Sequence, residues 1–205
     1  SDSQELSATM RKQLQRLIDL RFHEAAGMTM KEFVDPVPLP EAVDATLIVN
    51  ESLIGIAKQC ELLGIKMHPG FDLTELSNLE EVPADAKLYW RYGLDNGKVT
   101  RGMPVIETRR ALKQNGRRPV TTAEVLALYA QNPGILEKKF SLDAAGSQYS
   151  DNRSPHLCRR SYVIYSQPKK EGEEEKIEKV VEEVELAMAY VNRGHPDWGS
   201  PSFRK

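Results

Sequence analysis

The segment Val120-Thr121-Thr122-Ala123-Glu124-Val125-Leu126-Ala127-Leu128-Tyr129-Ala130-Gln131, followed by Asn132-Pro133-Gly134, is the clearest local signal in the chain. A threonine with a glutamate three residues later is the pattern of a capping box: Thr121 accepts from the backbone at Glu124, and Glu124 reaches back. Val120 and Val125 stand where a hydrophobic staple can form around it. The spacing predicts a helix that runs to about Gln131 and stops before Pro133-Gly134.

Upstream of that helix, Pro104 suits the first turn of another, carrying Val105, Ile106, Arg109, Ala111 and Leu112 and ended by Gly116. Ala45 to Val49 reads as a short buried strand. Asn50 is placed to cap a helix with Leu53, Ile56, Ala57, Cys60 and Leu63, ending near Gly64. Lys87 to Tyr92 is a second strand, and Asp95-Asn96-Gly97 reads as a turn returning a hairpin through Lys98 to Arg101. Downstream, strands are expected around Phe140 and from Leu157 to Tyr165, with a polar loop from Ala145 to Pro155. The tail has two readings. Ile177, Val180, Val181, Val184, Met188 and Val191 share one helical face, yet Val184, Leu186, Met188 and Tyr190 alternate as in a strand. Residues 172–183 read as an acidic helix or a solvated insertion.

At the N-terminus, Leu6, Met10, Leu14, Leu17 and Ile18 recur at three- and four-residue spacing among charged residues, which predicts an amphipathic helix over residues 4–22. Asp35-Pro36-Val37-Pro38-Leu39-Pro40 must be extended, because alternate prolines fix φ and remove donors. The expected organisation is an N-terminal helical segment (1–35), a Pro-rich connector (36–44) and an α+β domain (45–205). The fold class is α+β, an N-terminal amphipathic helix with a mixed or antiparallel sheet flanked by helices.

Composition narrows the function. The 205 residues balance 28 Lys+Arg against 30 Asp+Glu, a net charge of -2, so bulk attraction to nucleic acid or anionic membrane is not expected. Apolar runs such as Leu47-Ile48-Val49 are far shorter than the roughly 20 residues of a spanning helix. Hydrophobic residues at 40% and charged residues at 28% are ordinary globular values. Cys60 and Cys158 are too few for a disulfide framework, and no signal-peptide pattern opens the sequence; the expectation is a cytoplasmic protein.

Gly116-Arg117-Arg118-Pro119-Val120-Thr121-Thr122-Ala123-Glu124, with Leu126-Ala127-Leu128 after it, resembles an uncharacterised bacterial family of unknown function. Its members open a helix with Gly-Arg-x-Pro-Leu-Thr and carry a Gly-Ser-Arg-x-x-Asp-Arg-Arg-x-Pro loop, similar to residues 146–155 here. The family's Asn-Pro-His-Thr-Trp-Leu-Gly-Ser ending is similar to Gly194-His195-Pro196-Asp197-Trp198-Gly199-Ser200. The resemblance implies that Leu186 to Val191 is a strand, and it implies no activity. Gln148 and Asn152 stand where the family has arginines, and 168–185 looks like an insertion.

The 146–156 loop collects Ser147, Tyr149, Asp151, Asn152, Arg153 and His156 between Gly146 and Pro155, enough donors and acceptors to surround a small ligand. A self-bonded turn is the alternative. His156 and His195, with Asp151 and Asp197, supply the atoms for acid/base chemistry, although neither spacing is a metal signature. Cys158 beside Arg159 and Arg160 is either an activated thiol or a small buried hydrophobe. Lys98, Arg101, Arg109, Arg110, Lys113, Arg117 and Arg118 form the strong basic block, either a phosphate-contacting face or a solvated one paired with the Glu171 to Glu185 stretch.

Three functions follow. The first is binding of a small molecule or a partner protein by Ser147, Asp151, Arg153, His195 and Trp198, where residues 146–156 and 194–200 meet. The second is a hydrolase or transferase with His195 or His156 as base, Asp151 or Asp197 orienting it, and Arg153 on developing charge. The third is binding of nucleic acid or an acidic protein through Arg109, Arg110, Lys113, Arg117 and Arg118. No motif identifies a cofactor, and no metal site is expected.

Overall fold

The computed structural model describes residues 2–205. Helix α1 (Asp2–Asp19) buries Leu14 and Leu17, and the chain reverses at Arg21, whose φ of 65° is left-handed. Two short helices follow, α2 (Phe22–Ala25) and α3 (Met30–Val34); the second has its own capping box from Thr29 and Glu32. After the prolines, β1 (Ala45–Val49) is buried along its whole length.

Asn50 does not cap a long helix. Its amide donates to the carbonyls of Pro83 and Ala86, each at 2.9 Å, and its Oδ1 accepts from Ser52 N, so Asn50 closes a turn. The helix, α4, spans only Ile56–Leu62 and is entered from Gly55. The strands β2 (Ile65–Met67), β3 (Leu76–Asn78) and β4 (Leu88–Tyr92) come next. The expected hairpin after β4 is absent. Gly97, at a φ of 87°, turns the chain into a 3-10 turn over Lys98–Thr100, and β4 pairs antiparallel with β1 from Ala45↔Tyr92 to Val49↔Leu88. The residues after the turn are held instead to the 198–200 segment, where Ser200 N donates to Thr100 Oγ1 at 2.8 Å and Gly102 N donates to Trp198 O at 3.0 Å.

Helix α5 (Val105–Gln114) follows Pro104 and stops at Gly116, as expected. A short strand, β5 (Arg117–Pro119), leads into α6 (Thr122–Gln131), whose capping box is present as read: Glu124 N reaches Thr121 Oγ1, and Thr121 N reaches Glu124 Oε1. The remaining strands are β6 (Ser141–Asp143), β7 (Ser147–Tyr149), β8 (Arg153–Tyr165), β9 (Ile177–Tyr190), β10 (Trp198–Gly199) and β11 (Ser202–Arg204). The polar loop therefore contains a strand, β7. The tail is a strand too: β9 pairs with β8 from Arg153↔Tyr190 to Tyr165↔Ile177, which overturns the helical readings of 172–183 and of the 177–191 face. Pairing with β8 satisfies its backbone groups, whereas a lone acidic helix there would have no apolar surface to cover.

The seven-stranded sheet is mixed, since β2 and β9, and β6 and β10, run parallel while the other pairs are antiparallel. This is the expected α+β class. Helix α6 lies between two sheets. One side meets Ile48 and Tyr89 of the β1–β4 ribbon, the other Leu142, Leu157 and Leu186 of the large sheet. The far face of the ribbon, with Leu47, Val49 and Leu88, packs on Leu14, Leu17, Phe22 and Phe33 of the N-terminal helices. Because strand side chains alternate, Leu157 facing α6 sends His156 and Cys158 to the other side of the large sheet, together with Asp143, Glu185 and Ala187. That second face carries buried polar groups.

Candidate functional site

Strand pairing assembles the candidate site. Asp143 of β6 lies opposite His156 of β8, and the two side chains meet at 2.8 Å between Oδ1 and Nδ1, both buried. Burial alone disfavours the charged imidazole. The adjacent Asp143 carboxylate outweighs it, with Cys158 adding to the effect, and pushes His156 up to about 9. Cys158, two residues along the same face, is also buried. Burial raises its thiol, but hydrogen bonding and charge from His156 and Arg160 prevail and draw it below the ordinary thiol value. Glu185, opposite Cys158 on β9, is ion-paired to Arg160 at 3.1 Å.

The 194–200 segment closes over this group. Trp198 lies against His156 with ring centroids 4.7 Å apart, and His195 stacks on Trp198 at 4.8 Å with 22° between planes. Two glycines allow the approach: a Cβ at Gly194 would strike the Gly102 carbonyl, and one at Gly199 would strike that of Gly97. Pairing of Trp198 with Ser141 places the indole on the polar face, beside Asp143.

The other residues singled out in the sequence are dispersed. Ser147 is fully buried; its hydroxyl accepts from Thr122 N at 2.9 Å, satisfying a free amide of the first turn of α6, and donates to Asn78. Asp151 is exposed in the turn between β7 and β8. Arg153 donates to Tyr190 Oη at 3.0 Å and lies over that ring. Asp197 acts through its backbone, its N–H donating to His195 Nδ1 and its carbonyl accepting from Ser141. Of the loop and tail candidates, only His156, His195 and Trp198 come together. Asp143, which sequence reasoning missed, takes the place next to the imidazole considered for Asp151 or Asp197. Nothing local marks it, because its pairing with His156 is set by sheet register.

The basic block is divided. Arg109 donates to the carbonyls of Ala145 and Ser147, each at 2.8 Å; Arg117 donates to Gly93 O and to Ser202; Arg118 donates to Glu81 O. Arg110 and Lys113 are exposed on α5. The acidic stretch pairs elsewhere, Glu182 with Lys138 and Glu183 with Lys66, so the expected pairing of block and stretch is replaced. Among the described residues, no group of three or more His, Cys, Asp or Glu side chains is placed to hold a metal ion, and no helix is long and apolar enough to cross a membrane.

The two family-like motifs touch: Gly146 N donates to Val120 O at 2.7 Å beside the Ser147–Thr122 bond, so loop and helix opening form one unit. No curated protein and no solved structure matches the chain. A match to the family of unknown function DUF5701 spans residues 16–172; it takes in both motifs and ends before the 194–200 segment. With more than half of its 205 residues inside that match, the chain belongs to the DUF5701 family.

Proposed function

We propose that the chain is a ligand-binding α+β domain whose site lies where β8 meets the 194–200 segment, and that the ligand is a small molecule with a planar ring. The observation that carries this reading is the position of Trp198 between a buried imidazole, His156, and an exposed one, His195. His195 occupies a stacking surface that a flat heterocycle would take in its place, while the Asp143–His156 pair beneath supplies a polar floor. Cytoplasmic residence is part of the same proposal and fits two unpaired cysteines.

A thermal-shift titration with a set of nucleotides and other flat heterocycles tests it. Ligand at 100-fold over its Kd adds about 2.7 kcal/mol. Trp198→Ala abolishes the shift, Asp143→Asn weakens the binding, and His195→Gly preserves or strengthens it. Unchanged binding in Trp198→Ala removes the site.

A second reading rests on Cys158. A thiol drawn down by an imidazolium that a carboxylate holds is the arrangement of a cysteine nucleophile, which would make the chain a transferase or hydrolase acting on acyl groups. Iodoacetamide alkylation of the native chain should then proceed at neutral pH and slow in His156→Gln. A thiol inert at neutral pH until the chain unfolds eliminates this reading. The nucleic-acid reading draws less support, since Arg109, Arg117 and Arg118 are engaged with backbone carbonyls.

A further inference from the structure

A groove of about 610 Å³ runs along one side of β4, between that strand and the Pro-rich connector. Phe33, Pro38, Tyr89, Trp90 and Tyr92 are among its apolar lining. Its floor includes the successive residues Asp85 to Trp90, from both faces of the strand, which marks it as following the strand's edge. Among the described residues the β1–β4 ribbon has only two strands, so β4 has no strand neighbour there on its other side.

Pairing phase shows which groups face that edge. Asn50 N donates to Lys87 O, and Gly93 N donates to Asp44 O. Counting inward along an antiparallel ladder, Tyr89 and Arg91 turn their backbone groups toward β1, while Leu88, Trp90 and Tyr92 turn theirs outward. The same phase turns Ala45 and Leu47 outward on the opposite edge. There the side chain of Gln13 serves both, accepting from Leu47 N and donating to Ala45 O, each at 2.7 Å. One edge of the ribbon is thus closed by an amide that imitates a strand. Among the described residues the other edge has no such cover.

The connector does not provide it. It is held away from the β4 backbone by side chains: Trp90 Nε1 donates to Pro38 O at 2.8 Å, and Glu41 N donates to Tyr92 Oη at 3.0 Å. A slot remains between connector and strand edge. Its charged lining is acidic, with Glu32, Glu41 and Asp85 against the single base Lys87. Met30, Leu39 and Val43, nearby in the α3 and connector segments, are exposed apolar residues.

We propose that this slot is a docking site for an extended segment of a partner protein that adds to β4 as a third strand, carrying apolar side chains at alternate positions and Lys or Arg between them. Backbone groups of Leu88, Trp90 and Tyr92 provide the pairing, the aromatic wall takes one side-chain set, and the acidic residues select the charge. The site is separate from the Trp198 site and stands without it.

The test is selection of random 12-residue peptides displayed on phage against the full chain, followed by anisotropy titration of the enriched peptides. Enriched sequences alternate apolar and basic residues, and the bound peptide slows amide exchange at Leu88, Trp90 and Tyr92. N-methylation of alternate peptide amides abolishes binding in one of the two phases. Glu41→Lys with Asp85→Lys weakens binding about tenfold with the melting temperature unchanged, since both side chains are exposed. Failure to enrich any peptide, enrichment of acidic peptides, or binding indifferent to N-methylation overturns the proposal. Concentration-dependent dimerisation that itself protects those amides does so in favour of a second copy of the chain.

Discussion

Glu124 holds three donors on one fully buried carboxylate: Thr121 N at 3.0 Å, Arg91 Nε at 2.8 Å and Tyr89 Oη at 3.2 Å. Burial, then the negative charge of Glu124, keep the Tyr89 phenol protonated. Removing one partner of a buried ion pair leaves the other uncompensated, so Glu124→Ala should destabilise by about 3 kcal/mol in urea denaturation. The Thr-x-x-Glu spacing disclosed the capping half of this arrangement; Arg91 and Tyr89, more than thirty residues away in sequence, were not legible. His156 gives a pH prediction. In Cys158→Ala the thiol no longer titrates and its share of the shift is gone, leaving an imidazole that Asp143 still raises above 6.5. A raised group binds its proton more tightly in the folded state. Its contribution is complete below pH 6.5 and is lost as pH rises through the raised folded-state value. Urea titrations of that variant should show the decline, and adding His156→Gln should flatten it.

Helix α6 shows how an element differs from its sequence signature. Its boundaries follow from caps and turn residues, but its burial on nearly all sides follows from lying between the ribbon and the large sheet. Leu126→Ala should therefore cost about 2–5 kcal/mol, the range for fully packed core sites. The edge of β1 offers a second check. Gln13→Ala strips partners from Ala45 O and Leu47 N and should cost about 1–3 kcal/mol. Strand β9 was ambiguous for a physical reason: its apolar residues fit both periods, Val184 and Met188 belonging to each set, and only β8 as a neighbour decides between them. Beyond Arg160 the β8–β9 hairpin is largely exposed, with Tyr162, Ile164, Val180 and Ile177 among its apolar residues. Replacing residues 166–176 by Asn-Gly should leave the melting temperature within about 2 °C, because little core is lost.

Across the whole molecule, the layers run from N-terminal helices through ribbon, α6 and large sheet to the polar face carrying His156. Residues between Met10 and Val34 cover Leu47, Val49 and Leu88, so a chain beginning at residue 36 should aggregate or lose cooperative melting, readable by calorimetry. Sequence alone determined what is local: the capped α6, the stop at Gly116, the buried β1, the α+β class and the motifs shared with the family. Those features depend on side chains within a few residues of one another. Tertiary structure decided the rest. The partner of β4, the strand state of β9, the meeting of Asp143, His156 and Trp198, and the open slot beside Trp90 all depend on strand register between distant segments. Register is fixed by which apolar faces can be buried together, and that competition involves the whole chain.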